Sequence, residues 1–151
     1  MRYNTLAAIL IGLHLISGLK AQTVKTTISK SRFGYLSNQL VKSFEVGNSD
    51  TTYYYTTSFK NQKYLYISDF CSIICSNQNC ITKLQKDLNR LLQLITENTE
   101  SEFEIKSSNC TLIYRNSVAL IYSDGKYTYL TKGVIRKYIL WLDSIRPYLT
   151  P

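Results

Sequence analysis

A chain of 151 residues with 44% hydrophobic and 13% aromatic side chains has the size and composition of one folded domain, which excludes both a large multidomain enzyme and a disordered polypeptide. Its 18 Lys and Arg against 10 Asp and Glu, a formal charge of +8, describe a basic protein and name no activity.

The chain opens with Arg2 ahead of a nearly unbroken apolar run from Leu6 to Leu19, and Gly18 and Ala21 place small residues at −4 and −1 before Gln22. This is the pattern of a secretory signal over residues 1–21, leaving 22–151 as a single domain. The run is about 14 residues, short of the roughly 20 that a spanning helix needs, so a retained anchor is the weaker reading. Cleavage removes Arg2, Lys20 and His14, so the net charge falls from +8 to +6 and no histidine remains. Imidazole as base, proton shuttle or metal ligand is then closed to the domain, and with it Ser-His-Asp catalysis, Cys-His catalysis and mixed Cys/His zinc sites. The junction Leu19-Lys20-Ala21-Gln22 resembles the Sec signals of Bacteroidetes, which implies a secreted or periplasmic location.

Beyond the signal, Ile28 to Leu36 and Gln39 to Val46 read as strands. Thr51 to Phe59 and Lys63 to Ser68, rich in Tyr and Thr and parted by the polar Lys60-Asn61-Gln62, read as two more. Next, Ile81, Leu84, Leu88, Leu91, Leu92 and Ile95 recur at helical spacing with Lys83, Lys86, Asp87 and Arg90 between them, and Asn77 or Asn79 caps the start. Glu102 to Lys106, Cys110 to Tyr114, Ser117 to Tyr122 and Lys126 to Leu130 follow as strands. Arg115-Asn116 and Asp124-Gly125 are the turns, the latter a type I′ signal. A second helix, from Thr131 or Lys132 to Ile145, buries Val134, Ile135, Tyr138, Trp141, Leu142 and Ile145 and stops before Pro147.

Four strands and a helix, twice over, make an α+β domain: an antiparallel sheet with two amphipathic helices on one face. Lys63 to Ser68 and Lys126 to Thr131 resemble each other, which either an internal duplication or the similarity of all Tyr-rich strands explains. The element order resembles the Whirly-type arrangement, whose members bind single-stranded nucleic acid. No Whirly motif residue stands in this chain, so no site residue carries over. The layout from Tyr64 to Ile95 is also similar to small exported Bacteroidetes proteins of unknown function, and that likeness brings no activity.

Cys71, Cys75, Cys80 and Cys110 are an even set, which in an oxidising compartment forms two disulfides. Cys75–Cys80 is the expected local bridge and Cys71–Cys110 the long one, worth about 3 to 4 kcal/mol by loop closure. The alternative, a four-cysteine zinc site, lacks the paired short knuckles of such sites, and the Cys-x-x-Cys of a redox centre is absent. No metal and no cofactor are expected.

Alternation puts Tyr64 with Tyr66, and Tyr127 with Tyr129, on single strand faces near Lys63 and Lys126. If the helices cover the opposite face, these six residues form an open binding surface suited to bases or sugar rings. The alternative is that tyrosine is simply a good strand former whose ring packs while its hydroxyl stays wet. Glu97, Glu100, Glu102 and Glu104 make an acidic stretch, and Asn109-Cys110-Thr111 meets the N-glycosylation pattern. Gly34, Gly47, Gly125 and Gly133 compose no phosphate loop. The expectation is an exported binding protein without catalysis, whose partner is an extracellular or periplasmic polymer or protein. A single-stranded nucleic-acid binder, disfavoured by export and scattered charge, and a carboxylate-based hydrolase are the alternatives.

Overall fold

The computed structural model describes residues 22–47, 50–64, 70–97, 102–107 and 109–151; the signal expected over 1–21 lies outside them. The order is β1 (Thr23–Phe33), β2 (Leu36–Glu45), β3 (Thr51–Lys60), a 3₁₀ turn (Gln62–Tyr64), β4 (Phe70–Cys75) and α1 (Gln78–Glu97). Then come β5 (Phe103–Lys106), β6 (Thr111–Arg115), β7 (Val118–Ser123), β8 (Lys126–Leu130) and α2 (Lys132–Ile145). Each set of four strands is an antiparallel meander in chain order, giving two sheets, each followed by a helix. The α+β class and the two β4-α halves hold; the single sheet divides in two because β4 leads into α1 and does not pair with β5.

Turn chemistry fixes the registers. Asn116 and Ser117 (φ 50° and 61°) join β6 to β7, and Asp124 and Gly125 (φ 50° and 72°) join β7 to β8. Both are two-residue loops with positive φ at each central position, whose twist matches that of the flanking strands. Gly34 (φ 55°) with Tyr35 turns β1 into β2, inside what reads from sequence as one strand, Ile28 to Leu36. A Cβ on Gly34 would come within 3.0 Å of Val134 Cγ2, so this hairpin turn is held against α2. Ile28 is passed over in the β1–β2 register, a bulge.

The expected strand from Lys63 to Ser68 is corrected at its start, where Lys63 and Tyr64 belong to the 3₁₀ turn; Leu65 to Ser68 lie outside the described residues. Asn61 Oδ1 accepts the Lys63 N–H at 3.1 Å, an Asx turn that bends the chain out of β3 into the 3₁₀ turn. The fourth strand is instead Phe70–Cys75, in the segment that reads as a connection. Lys63 and Tyr64 thus have no strand equivalence to Lys126 and Tyr127, although the β4-α repeat itself is real.

Each helix packs against the sheet of the other half. α1 lies against β6 and β7, α2 against β1, and the helices lie against each other. Ile81, Leu84, Leu88 and Leu91 of α1 meet Leu112, Tyr114, Ala119 and Ile121 in one buried cluster with Leu36, Leu40, Phe59, Ile73 and the α2 residues Ile135, Leu142 and Ile145. Each such side chain, fully buried, contributes about 1.5 to 3 kcal/mol. Asn77 caps α1 by accepting the Cys80 N–H at 2.8 Å, and Thr131 caps α2 through Val134 N–H at 3.2 Å. Gln85, polar on the otherwise apolar stripe of α1, donates to Ile139 O and Asp143 Oδ1 and accepts from Arg146, which rivets the helices together. The C-terminal segment closes over the start of α1: Gln78 N–H donates to Thr150 O at 2.7 Å and Leu149 is buried.

At the centre stands a buried polar chain. Thr57 Oγ1 donates to Asn38 Oδ1 at 2.7 Å and, its single proton spent, accepts from the Tyr138 hydroxyl at 2.6 Å. All three residues are 0% exposed. Burial pushes the phenols of both Tyr55 and Tyr138 well above the usual tyrosine range. Trp141 packs on both rings, edge-on to Tyr55 at 5.9 Å and stacked on Tyr138 at 6.5 Å.

Candidate binding face

With both helices on the inner side, the outer surface of the second sheet is set by strand parity. Thr128 and Leu130 of β8 are buried, on the side where β8 meets β3 and the 3₁₀ turn, so Tyr127 and Tyr129 point the other way, as do Leu120 and Tyr122 of β7 and Thr111 and Ile113 of β6. Register aligns these into two cross-strand rows, Thr111–Tyr122–Tyr127 and Ile113–Leu120–Tyr129. Directly opposed side chains of this kind pack ring on ring and ring on aliphatic chain. Tyr127 and Tyr129 meet edge to face with centroids 5.9 Å apart. Tyr127 is half-buried and props Tyr129, which is 45% exposed; Tyr122 is 39% exposed.

Where the rows run toward β5 lies a hollow of about 490 Å³ lined by Glu102, Glu104, Ile113, Arg115 and Leu120. Arg115 Nε donates to Glu102 Oε2 at 2.9 Å, both side chains more than half exposed. Two carboxylates therefore line one hollow, but both stand in water and one is tied to an arginine. A general acid for glycoside hydrolysis needs a carboxyl held protonated by its surroundings. At the other end Lys126 Nζ reaches Asp124 Oδ2 at 3.5 Å, a long pair between a partly buried lysine and an exposed aspartate.

Of the six residues expected to form the surface, Tyr127 and Tyr129 stand together on the outer face of β8, whereas Lys126, partly buried, has the parity of Thr128 and Leu130 and lies on the opposite face. Lys63 is exposed in the 3₁₀ turn, which packs alongside β8. Tyr64 ends that turn, and Tyr66 lies outside the described residues. Sequence reading missed Tyr122, Leu120 and Ile113. The signal was present: Ala119, Ile121 and Thr128 alternate with them, and the Asp124-Gly125 turn fixes Tyr122 opposite Tyr127.

Cys75 and Cys80 sit in disulfide contact with Cα atoms 5.9 Å apart, joining the end of β4 to the first turn of α1 as expected, which takes two ligands from any four-cysteine zinc site. Cys71 occupies the β4 position opposite Phe59, and Cys110 is buried just before β6. Among the described residues no group of three His, Cys, Asp or Glu side chains is placed to hold a metal ion. Asn109 of the glycosylation pattern donates its amide to Ile74 O, so its nitrogen is engaged in tying β4 to the start of β6.

No family model matches the chain, and neither a curated protein nor a solved structure matches it.

Proposed function

We propose that this is an exported, non-enzymatic binding domain that lays an extended polymer across the outer face of the second sheet. The observation that carries the reading is the pair of uncovered rows, Thr111–Tyr122–Tyr127 and Ile113–Leu120–Tyr129, on a sheet whose other face is covered by α1, the 3₁₀ turn and strands of the first sheet. Aromatic and aliphatic side chains left in water cost free energy unless a ligand covers them, and tyrosine rings recognise flat or ring-shaped groups with little entropy loss. The signal pattern over residues 1–21 and the Cys75–Cys80 contact support an oxidising, extracytoplasmic setting, where the abundant extended polymers are glycans. Among the described residues no helix is long and apolar enough to cross a membrane, and anchoring has no part in the proposal.

Affinity electrophoresis of the mature protein through gels holding soluble polysaccharides tests the reading. Retardation by at least one polysaccharide, lost in Tyr122→Ala/Tyr129→Ala, is the expected result. Equal mobility of wild type and variant in every gel overturns it.

A second reading, single-stranded nucleic-acid binding, draws on the twice-repeated order of four strands and a helix, which resembles the Whirly arrangement, and on the basic charge. A labelled oligonucleotide shifted at low salt, with the shift lost as salt rises, favours it; no shift at low salt removes it.

A further inference from the structure

The outer face of the first sheet has a different chemistry. Tyr55, Thr57 and Phe59 of β3 face the core, so the opposite parity and the strand registers place Lys25, Lys30 and Arg32 of β1, Ser37 and Gln39 of β2, Thr52, Thr56, Ser58 and Lys60 of β3, and Ser72 of β4 outward, with Val41, Tyr54 and Ile74 as the apolar members of the same face. One row crosses all four strands as Arg32–Ser37–Ser58–Ser72, with Ser58 and Ser72 hydroxyls 3.0 Å apart. At the end of this row the surface opens into a groove of about 660 Å³ lined by Arg32, Tyr35, Ser37, Ser58, Lys60 and Gln62.

Three features of the groove converge. Among the described residues two cations line it and no carboxylate does. Neither Arg32 nor Lys60 makes an ion pair among the described residues. The amide of Gln62, brought there by the Asn61 turn, has its Nε2 buried without a hydrogen-bond partner among the described residues. An unpaired buried donor costs free energy that an acceptor brought to it recovers; Trp141 Nε1 and Arg146 Nε are in the same position elsewhere in the fold, but only Gln62 lines a groove with two cations. Guanidinium, ammonium, amide and hydroxyl donors around one space, with no acceptor charge among the described residues that line it, match a group that presents several acceptor oxygens and negative charge.

We propose that this groove binds a tetrahedral oxyanion, phosphate or sulfate, either free or as the monoester of a small sugar, with Tyr35, 57% exposed at the rim, available to pack on the ester's organic part. The site is separate from the tyrosine rows of the second sheet and does not rest on their function.

The test is calorimetric titration of the mature protein with inorganic phosphate, inorganic sulfate, glucose 6-phosphate and glucose 6-sulfate. Ionic strength is held constant with sodium chloride so that the protein's general positive charge gives no signal. At least one of the four binds with a Kd of about 1 mM or tighter. Arg32→Gln/Lys60→Gln weakens that binding at least about tenfold, while Lys25→Gln/Lys30→Gln, which removes equal charge from the same face outside the groove, changes it less than about threefold. Gln62→Leu, which alters no charge, weakens it about five- to tenfold and serves if the double variant fails to fold. Tighter binding of an ester than of its free anion assigns the site to the ester, and equal binding assigns it to the bare anion. No binding by any of the four, or equal losses in the two charge pairs, overturns the proposal.

Discussion

Replacing Thr57 with valine changes the shape of the core by almost nothing and its hydrogen bonding by a great deal. The Thr57 hydroxyl donates to Asn38 Oδ1 at 2.7 Å and accepts from Tyr138 at 2.6 Å, and all three residues are 0% exposed. Thr57→Val therefore strands two buried groups that water does not reach, one acceptor and one donor. Leaving a buried polar group unsatisfied costs about 1 to 3 kcal/mol, so the variant loses about 2 to 5 kcal/mol. That is a large share of the roughly 5 to 15 kcal/mol of a typical domain, and it lowers Tm by roughly 5 to 20 °C for a chain of this size. Urea titration at pH 7 followed by fluorescence of Trp141, the chain's one tryptophan, which packs on Tyr138, reads the change at its source. Thr57→Val/Tyr138→Phe removes one of the stranded groups, so the double variant is more stable than the sum of the single losses by about 1 kcal/mol or more. A loss below about 0.5 kcal/mol for Thr57→Val, or strict additivity in the double variant, refutes the reasoning.

Other outcomes follow from the same structure. Tyr55 and Tyr138 are held neutral in the fold by burial, while the unfolded chain ionises them near pH 10. Their contribution is fully present below about pH 10 and is lost as pH rises above it, at about 1.4 kcal/mol per pH unit for each tyrosine, and the slope of stability against pH above 10 flattens in Tyr55→Phe/Tyr138→Phe. Thiol titration of the exported, denatured and unreduced protein gives none if Cys71 pairs with Cys110 as the sequence suggests; two free thiols refute that bridge, and four refute Cys75–Cys80 as well. Cys75→Ala/Cys80→Ala lowers the urea-derived stability by about 2 kcal/mol, the loop-closure value for so short a loop, and no loss at all contradicts the bridge. Gly34→Ala, at φ 55° and 3.0 Å from Val134 Cγ2, costs about 1 to 2 kcal/mol in the same titration, whereas a neutral effect shows the turn is not held against α2.

Much of this architecture was legible because the relevant signals are local. Both helices announce themselves through 3.6-residue apolar spacing, and Asn77 and Thr131 cap them as their side chains dictate. The bounds of β8 follow directly from the Asp124-Gly125 turn. What escaped depends on contacts distant in the chain. Lys63 and Tyr64 have strand composition, yet the Asn61 side chain bends the backbone there, and pairing with β3 recruits the cysteine-bearing Phe70–Cys75 instead. Composition likewise does not say that Thr57 and Asn38, polar residues in polar-looking strands, are satisfied by a tyrosine 81 positions away. The tyrosine surface was half legible: parity paired Tyr127 with Tyr129, but only the packing of the helices decides which face stays open, and only register adds Tyr122 to it.

The tyrosines divide into a sealed core set and an open set on the second sheet. Nitration of the native protein by a small excess of tetranitromethane, mapped by peptide mass spectrometry, tests it most directly. Tyr122 and Tyr129 are modified early, along with exposed Tyr35 and Tyr148, while Tyr55, Tyr114 and Tyr138 stay unmodified until the protein unfolds. Protection of Tyr122 and Tyr129 to the same degree as Tyr55 would contradict the account, because the surface assigned to binding would then be closed.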